Sequence, residues 1–148
     1  MMDKGDEVPV GRCMKITERL NRTNRLRCWK TWHGKANGRI RYCFAPRFAV
    51  SCTRELLEQV GRLARERGVM IHTHASENRT ECAIVEAETG LRNVAYLNQV
   101  GLTGSHVALA HCVHLSEDEM ETLLQTEDQR RSLSVVESET RIGYSAGY

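Results

Sequence analysis

IHTHASE, residues 71–77, carries two histidines two positions apart and a glutamate three positions beyond the second, directly after the apolar pair Val69-Met70. Alternate side chains on a strand share a face, so His72 and His74 point the same way if one strand runs through both. His74 and Glu77 then fall where that strand ends and a loop begins. In β/α folds the C-terminal strand ends are where catalytic groups gather. A neutral imidazole binds a borderline metal, and a nearby carboxylate can move protons to and from activated water. A single histidine on a strand is more often structural than functional, so the flanking segments have to decide.

Those segments alternate between strand and helix patterns. RIRYCFAPRFAVSC, residues 39–52, is rich in β-formers and turns at Pro46. In TRELLEQVGRLARERG, residues 53–68, Leu56, Leu57, Val60, Leu63 and Ala64 recur at helical spacing behind an N-cap at Thr53, and Gly68 supplies the stop. A second helix is expected from Asn78 to about Glu88, closed by Gly90, and a short one over residues 94–100. VALAHCV, residues 107–113, reads as a second buried strand, after which Ser116 and Glu119 form a capping-box pattern. Near-continuous apolar strands separated by helices indicate parallel β/α units. Periodicity alone leaves an open doubly wound sheet and a barrel equally available.

His111 ends the second apolar strand. Two neighbouring parallel strands that both end in histidine would bring the imidazoles together at one rim. His114 lies past the strand end and reads as a loop or packing residue.

The 148 residues suit one domain, and 41% hydrophobic residues allow a modest core. Net charge is +2 with acids and bases interspersed, which gives no footprint for nucleic acid. No apolar run approaches the roughly 18 residues of a membrane span. The opening MMDKGDEVPVG lacks the apolar stretch of a signal peptide, so a cytoplasmic location is expected. The six cysteines form no CxxC pair and read as free thiols. Oligomeric state stays open.

APRFAVSC, HTHASENR and ALAHCVHLSEDE, in this order and spacing, resemble the amidohydrolase superfamily, in its branch of guanine deaminases, adenosine-derivative deaminases and triazine hydrolases. The resemblance runs over about residues 39–126. It implies a partial (β/α)8 TIM barrel retaining about strands four to six with their helices. By position, His74 matches the strand-five metal ligand, Glu77 the proton-shuttling glutamate and His111 the strand-six histidine. Arg47 and Phe48 resemble the segment that contacts the purine in guanine deaminases, the first through a ring carbonyl and the second by packing on the heterocycle. Cys43, Cys52 and Cys112 match no catalytic position. The implied chemistry is hydrolytic deamination of a purine-like or other aminated heterocycle. Zinc or another divalent metal activates water, and Glu77 carries a proton from that water to the departing amine. Triazine dechlorination is the alternative within the branch.

The family also carries a His-x-His pair at the end of strand one and an aspartate at the end of strand eight. His72 and His74 are not that pair, because their context places them on strand five. A site with one or two imidazoles and a carboxylate is expected to hold zinc weakly. The expected organisation is an N-terminal segment over residues 1–38, a barrel fragment over residues 39–126, and a disordered or frameshifted tail over residues 127–148. Family members continue after strand six with a segment close to VVHCPSSNLKLGSG, whereas residues 130–145 read RRSLSVVESETRIGYS. A synonymous coding of residues 133–144, regrouped by a single base, translates to CPSSNLKLGSG, and residues 130–133 regroup to VVHC. The gene's nucleotide sequence decides this, since the idea fails if no shifted frame encodes CPSSN. A shorter regrouping turns the basic residues 12–31 into an acidic, Leu-periodic helix. The chain as given is expected to be a fragment that is inactive alone, a non-catalytic remnant of the family; a small metal-binding or interaction module is the further alternative.

Overall fold

The computed structural model describes residues 25–126 and 136–137. Four parallel strands lie in the order β1-β2-β3-β4, with β1 at Cys43–Phe44, β2 at Met70–Ala75, β3 at Val107–His111 and β4 at Val136–Glu137. Helices α1 (Arg25–Trp32), α2 (Arg54–Arg67), α3 (Arg79–Thr89), α4 (Asn93–Gln99) and α5 (Glu117–Thr126) accompany them. None of the described helices is long and apolar enough to cross a membrane.

Helix α2 forms as its pattern predicts. Thr53 Oγ1 accepts the Leu56 N–H at 3.3 Å, and Gly68 closes the helix in the left-handed region at φ 61°. Leu56, Leu57, Val60 and Ala64 are buried and share the core with Phe44, Ile71, Val94, Leu97 and Leu102. Gly61 sits on the same buried face against the loop before β3. A Cβ there would lie 2.8 Å from the Gly101 carbonyl oxygen, so only glycine permits that approach.

The β2–β3 pairing is the centre of the sheet, in register from Ile71 with Val107 to Ala75 with His111. The β-rich stretch at residues 39–52 yields much less strand than its composition suggests. Pairing with β2 covers Cys43 and Phe44, lapses, and resumes as one bridge between Phe48 and His74. Pro46 has no N–H to give the ladder, and four steps from Phe44 to Phe48 stand opposite three from Ile71 to His74. The extra residue swings Arg47 and Phe48 onto the rim at the end of β2.

Two helices separate β2 from β3, as the two patterned stretches predict. Helix α3 is capped at its start by Asn78, whose side chain accepts the Glu81 N–H at 2.9 Å, and at its end by Gly90. Helix α4 starts one residue earlier than expected, at Asn93. Helix α5 opens with a reciprocal capping box: Ser116 Oγ accepts the Glu119 N–H, and the Glu119 carboxylate accepts the Ser116 N–H. Val136–Glu137 then lies parallel to β3 as its outer neighbour. The rest of residues 127–148, like residues 1–24, lies outside the described residues, and so does most of the segment proposed to be frame-shifted. Within residues 25–32, α1 sets Leu26 and Trp29 against the core, and the Arg67 guanidinium stacks 4.7 Å over the Trp29 ring.

Candidate functional site

The C-terminal ends of β2 and β3 carry the expected cluster. His74 and His111 lie one register step apart on adjacent strands, and their ring centroids are 5.1 Å apart. His72 lies on the same face of β2, 5.6 Å from His74 ring to ring. Burial pushes the His72 pKa down, and the neighbouring His74 and His111 add to that. Glu77 Oε2 comes within 3.7 Å of His111 Nε2, an ion-pair distance too long for a hydrogen bond.

Backbone geometry holds these ends in place. Ser76, His111 and Cys112 all adopt positive φ, at 50°, 73° and 51°. The left-handed region costs an L-residue about 1–2 kcal/mol, so such outliers cluster where a fold has to aim a side chain. Cross-strand hydrogen bonds hold the turn. The Cys112 N–H donates to the Ala75 carbonyl, and the Val113 and His114 N–H groups both donate to the Ser76 carbonyl. His114 thus sits in the loop, as its position past the strand end implied, and its own carbonyl accepts from Arg92.

The expected substrate contacts also reach this rim. Phe48 stands 6.4 Å from His74 in an edge arrangement, and the exposed Arg47 places its guanidinium 5.4 Å over the Phe48 ring. Arg47 has a second role that its side chain did not advertise. Its carbonyl oxygen lies 2.8 Å from His74 Nδ1 and accepts the His74 N–H at 3.1 Å and the Thr73 hydroxyl at 3.3 Å. A carbonyl acceptor requires Nδ1 to carry the proton, which leaves Nε2 as the free lone pair, the tautomer that a metal ligand needs.

Two imidazoles with the Glu77 carboxylate nearby suit a borderline divalent metal as part of its donor set. Among the described residues, no group of three or more His, Cys, Asp or Glu side chains is arranged to hold such an ion, and a closed zinc site takes four ligands. The cysteines stay outside the cluster's chemistry. Among the described residues Cys28, Cys43, Cys82 and Cys112 are free thiols. Burial, with Glu119 and Glu81 adding to it, pushes the Cys112 thiol up to about 11.

Residue patterns understated two further carboxylates. Glu81 and Glu119 are buried, at 5% and 1% exposure, and each accepts hydrogen bonds at both oxygens. The Ser116/Glu119 pattern was readable as a capping box. Asn78/Glu81 has the same spacing, but its carboxylate reaches past Asn78 to the Glu77 N–H.

Known proteins resemble this chain. A 5-methylthioadenosine/S-adenosylhomocysteine deaminase of Desulfitobacterium hafniense (strain DSM 10664 / DCB-2) is 38% identical over 96 residues, 65% of this chain and 22% of that protein. The structure of E. coli guanine deaminase matches with a TM-score of 0.71 at 32% identity, over 85% of this chain and 28% of that one. The fold also matches an atrazine chlorohydrolase from Arthrobacter aurescens TC1 solved in complex with zinc, with a TM-score of 0.68 at 20% identity over 76% of this chain and 24% of that one. The chain therefore spans 22–28% of the length of these relatives. The profile of the amidohydrolase family matches residues 8–143, most of the sequence, and the chain belongs to that family.

Proposed function

We propose that this chain supplies one side of a hydrolytic deaminase site for a purine-like, aminated heterocycle. In this reading β1, β2 and β3 correspond to about strands four, five and six of the (β/α)8 barrel. His74 and His111 are the ligands for a divalent metal, zinc first among them. The observation that carries the reading is the convergence of His74, His111 and Glu77 at the ends of two adjacent parallel strands.

When bound, the metal supplies a water activated near neutral pH. The chain's own residues do the rest. Arg47 holds His74 by its carbonyl and presents its guanidinium to a ring carbonyl of the substrate. Phe48 packs on the heterocycle. Glu77 takes a proton from the attacking water and delivers it to the amino group that leaves as ammonia. The deaminase relatives act on substrates of this type, as their names state.

A non-catalytic remnant that binds metal weakly is the second reading. It is favoured by the lack, among the described residues, of a third ligand grouped with the two histidines. Zinc content and ammonia release from guanine and adenosine derivatives separate the two. Turnover that falls by about 100-fold or more in Glu77→Gln supports the deaminase. Metal uptake with no turnover supports the remnant, and absence of both removes either role for the histidines.

A further inference from the structure

Two buried carboxylates that the proposed chemistry does not use sit directly behind it. Glu81 Oε2 accepts the backbone N–H of Glu77 at 2.9 Å, and its Oε1 accepts Asn93 Nδ2 at 2.6 Å. Glu119 Oε1 accepts the Val94 N–H, while its Oε2 accepts the Ser116 N–H and Arg92 Nε, all at 2.9 Å. Arg92 Nη2 also donates to the His114 carbonyl at 3.0 Å. The loop after β2 and the loop after β3 are thus tied by carboxylates to one short segment at the start of α4, Glu81 to Asn93 and Glu119 to Arg92 and Val94.

A helix cap alone does not require this. An N3 glutamate in a capping box reaches back to the N-cap N–H, as Glu119 does to Ser116. Glu81 instead reaches one residue further, to the residue whose side chain faces His111. It also spends its other oxygen on a buried amide of another helix. The bridge runs Glu77–Glu81–Asn93, then through Val94 to Glu119 and Ser116, and it spans the two strand ends that carry His74 and His111.

We infer that Glu81 is a positioning residue. With Asn93 it fixes the Glu77 backbone, and through it the 3.7 Å approach of the Glu77 carboxylate to His111. The inference rests on the proposed deaminase role of Glu77 for its catalytic consequence, but not for its geometry.

The test compares the full chain with Glu81→Leu and with the conservative Glu81→Gln. Leucine removes both acceptors. A glutamine at position 81 can still accept the Glu77 N–H, and its amide can donate to Asn93 Oδ1, which has no hydrogen-bond partner among the described residues, once the Asn93 amide turns over. Three quantities are read: hydrogen exchange of the Glu77 amide by NMR, thermal melting, and ammonia release from zinc-loaded protein. In Glu81→Leu the Glu77 amide is expected to exchange at least about 10-fold faster. The same variant should lose about 100-fold in kcat, with KM changed less than about 3-fold. Glu81→Gln should recover both. Unchanged Glu77 exchange in Glu81→Leu, or no recovery in a Glu81→Gln that melts like the parent, overturns the inference. If the parent chain releases no ammonia, the deaminase reading fails by that result. Positioning is then decided by exchange alone: loss and recovery support it, and unchanged exchange sinks it.

Discussion

His74 turns Nδ1 onto the carbonyl oxygen of Arg47, 2.8 Å away, so Arg47 supports the histidine with its backbone while its guanidinium remains over Phe48. The two roles are separable because substitution removes only the side chain. Arg47→Ala is expected to leave zinc affinity within about 3-fold of the parent, since the carbonyl that orients His74 persists. Loss of a charged hydrogen bond to substrate, about 1.5–3 kcal/mol, should raise KM roughly 10- to 100-fold. Zinc competition titration and steady-state kinetics on the same preparation check this. A collapse of metal affinity in Arg47→Ala would show that the guanidinium, not the carbonyl, organises the site.

What the sequence made readable follows from which interactions are local. Thr53, Gly68, Asn78, Gly90 and the Ser116/Glu119 box act within a turn of where they stand, and each appears in its expected role. His74 and His111 were legible because strand period and parallel pairing place consecutive strand ends side by side. The lapse of β1 at Pro46 was only half legible. Proline signals a turn, but whether pairing resumes at Phe48 depends on the neighbouring strand. The Arg47 carbonyl and the Glu81–Asn93 contact were not legible, because backbone acceptors have no residue signature and a 12-residue separation has no period to reveal it.

Gly61→Ala sets helix propensity against packing. Alanine inside α2 would gain up to about 1 kcal/mol of helix stability over glycine. Its methyl, however, would meet the Gly101 oxygen at 2.8 Å and the Val100 oxygen at 3.2 Å, both of them backbone. Arg65 Nη1 also donates to the Gly101 carbonyl at 2.8 Å and holds that loop against the helix. Overpacking against groups that cannot rotate away costs about 1–3 kcal/mol, so the clash wins. A melting temperature lowered by several degrees is expected, and an unchanged or raised one would mean the loop before β3 yields freely.

Thiol labelling distinguishes the cysteines by burial. Cys28 and Cys43 are exposed, while Cys52 is 1% exposed and Cys82 is 9% exposed. Burial raises the Cys82 and Cys112 thiols, the latter to about 11, and the thiolate is the reactive form. Peptide mass spectrometry after brief alkylation near neutral pH should find Cys28 and Cys43 modified at least about 10-fold faster than Cys52, Cys82 and Cys112. Rapid labelling of Cys52 in the folded chain would contradict the core placed here beneath α2.

Acid should destabilise this fold partly through His106, which is remote from the proposed ligands. Its Nε2 is buried with no hydrogen-bond partner among the described residues. Burial, and then the charge of Arg65, push its pKa below the ordinary 6.5. Between the lowered folded value and about 6.5 the unfolded chain therefore binds more protons than the folded one. Stability should be fully retained above about pH 6.5 and fall as pH drops through that window. His72 is shifted the same way and keeps its own share of the slope. Melting temperatures of the parent and His106→Gln, compared from about pH 7 down to about pH 5, isolate the His106 share. The variant should lose less stability on acidification than the parent. Parallel curves would mean that His106 takes up its proton in the folded state as readily as in the unfolded chain, and that water reaches its Nε2.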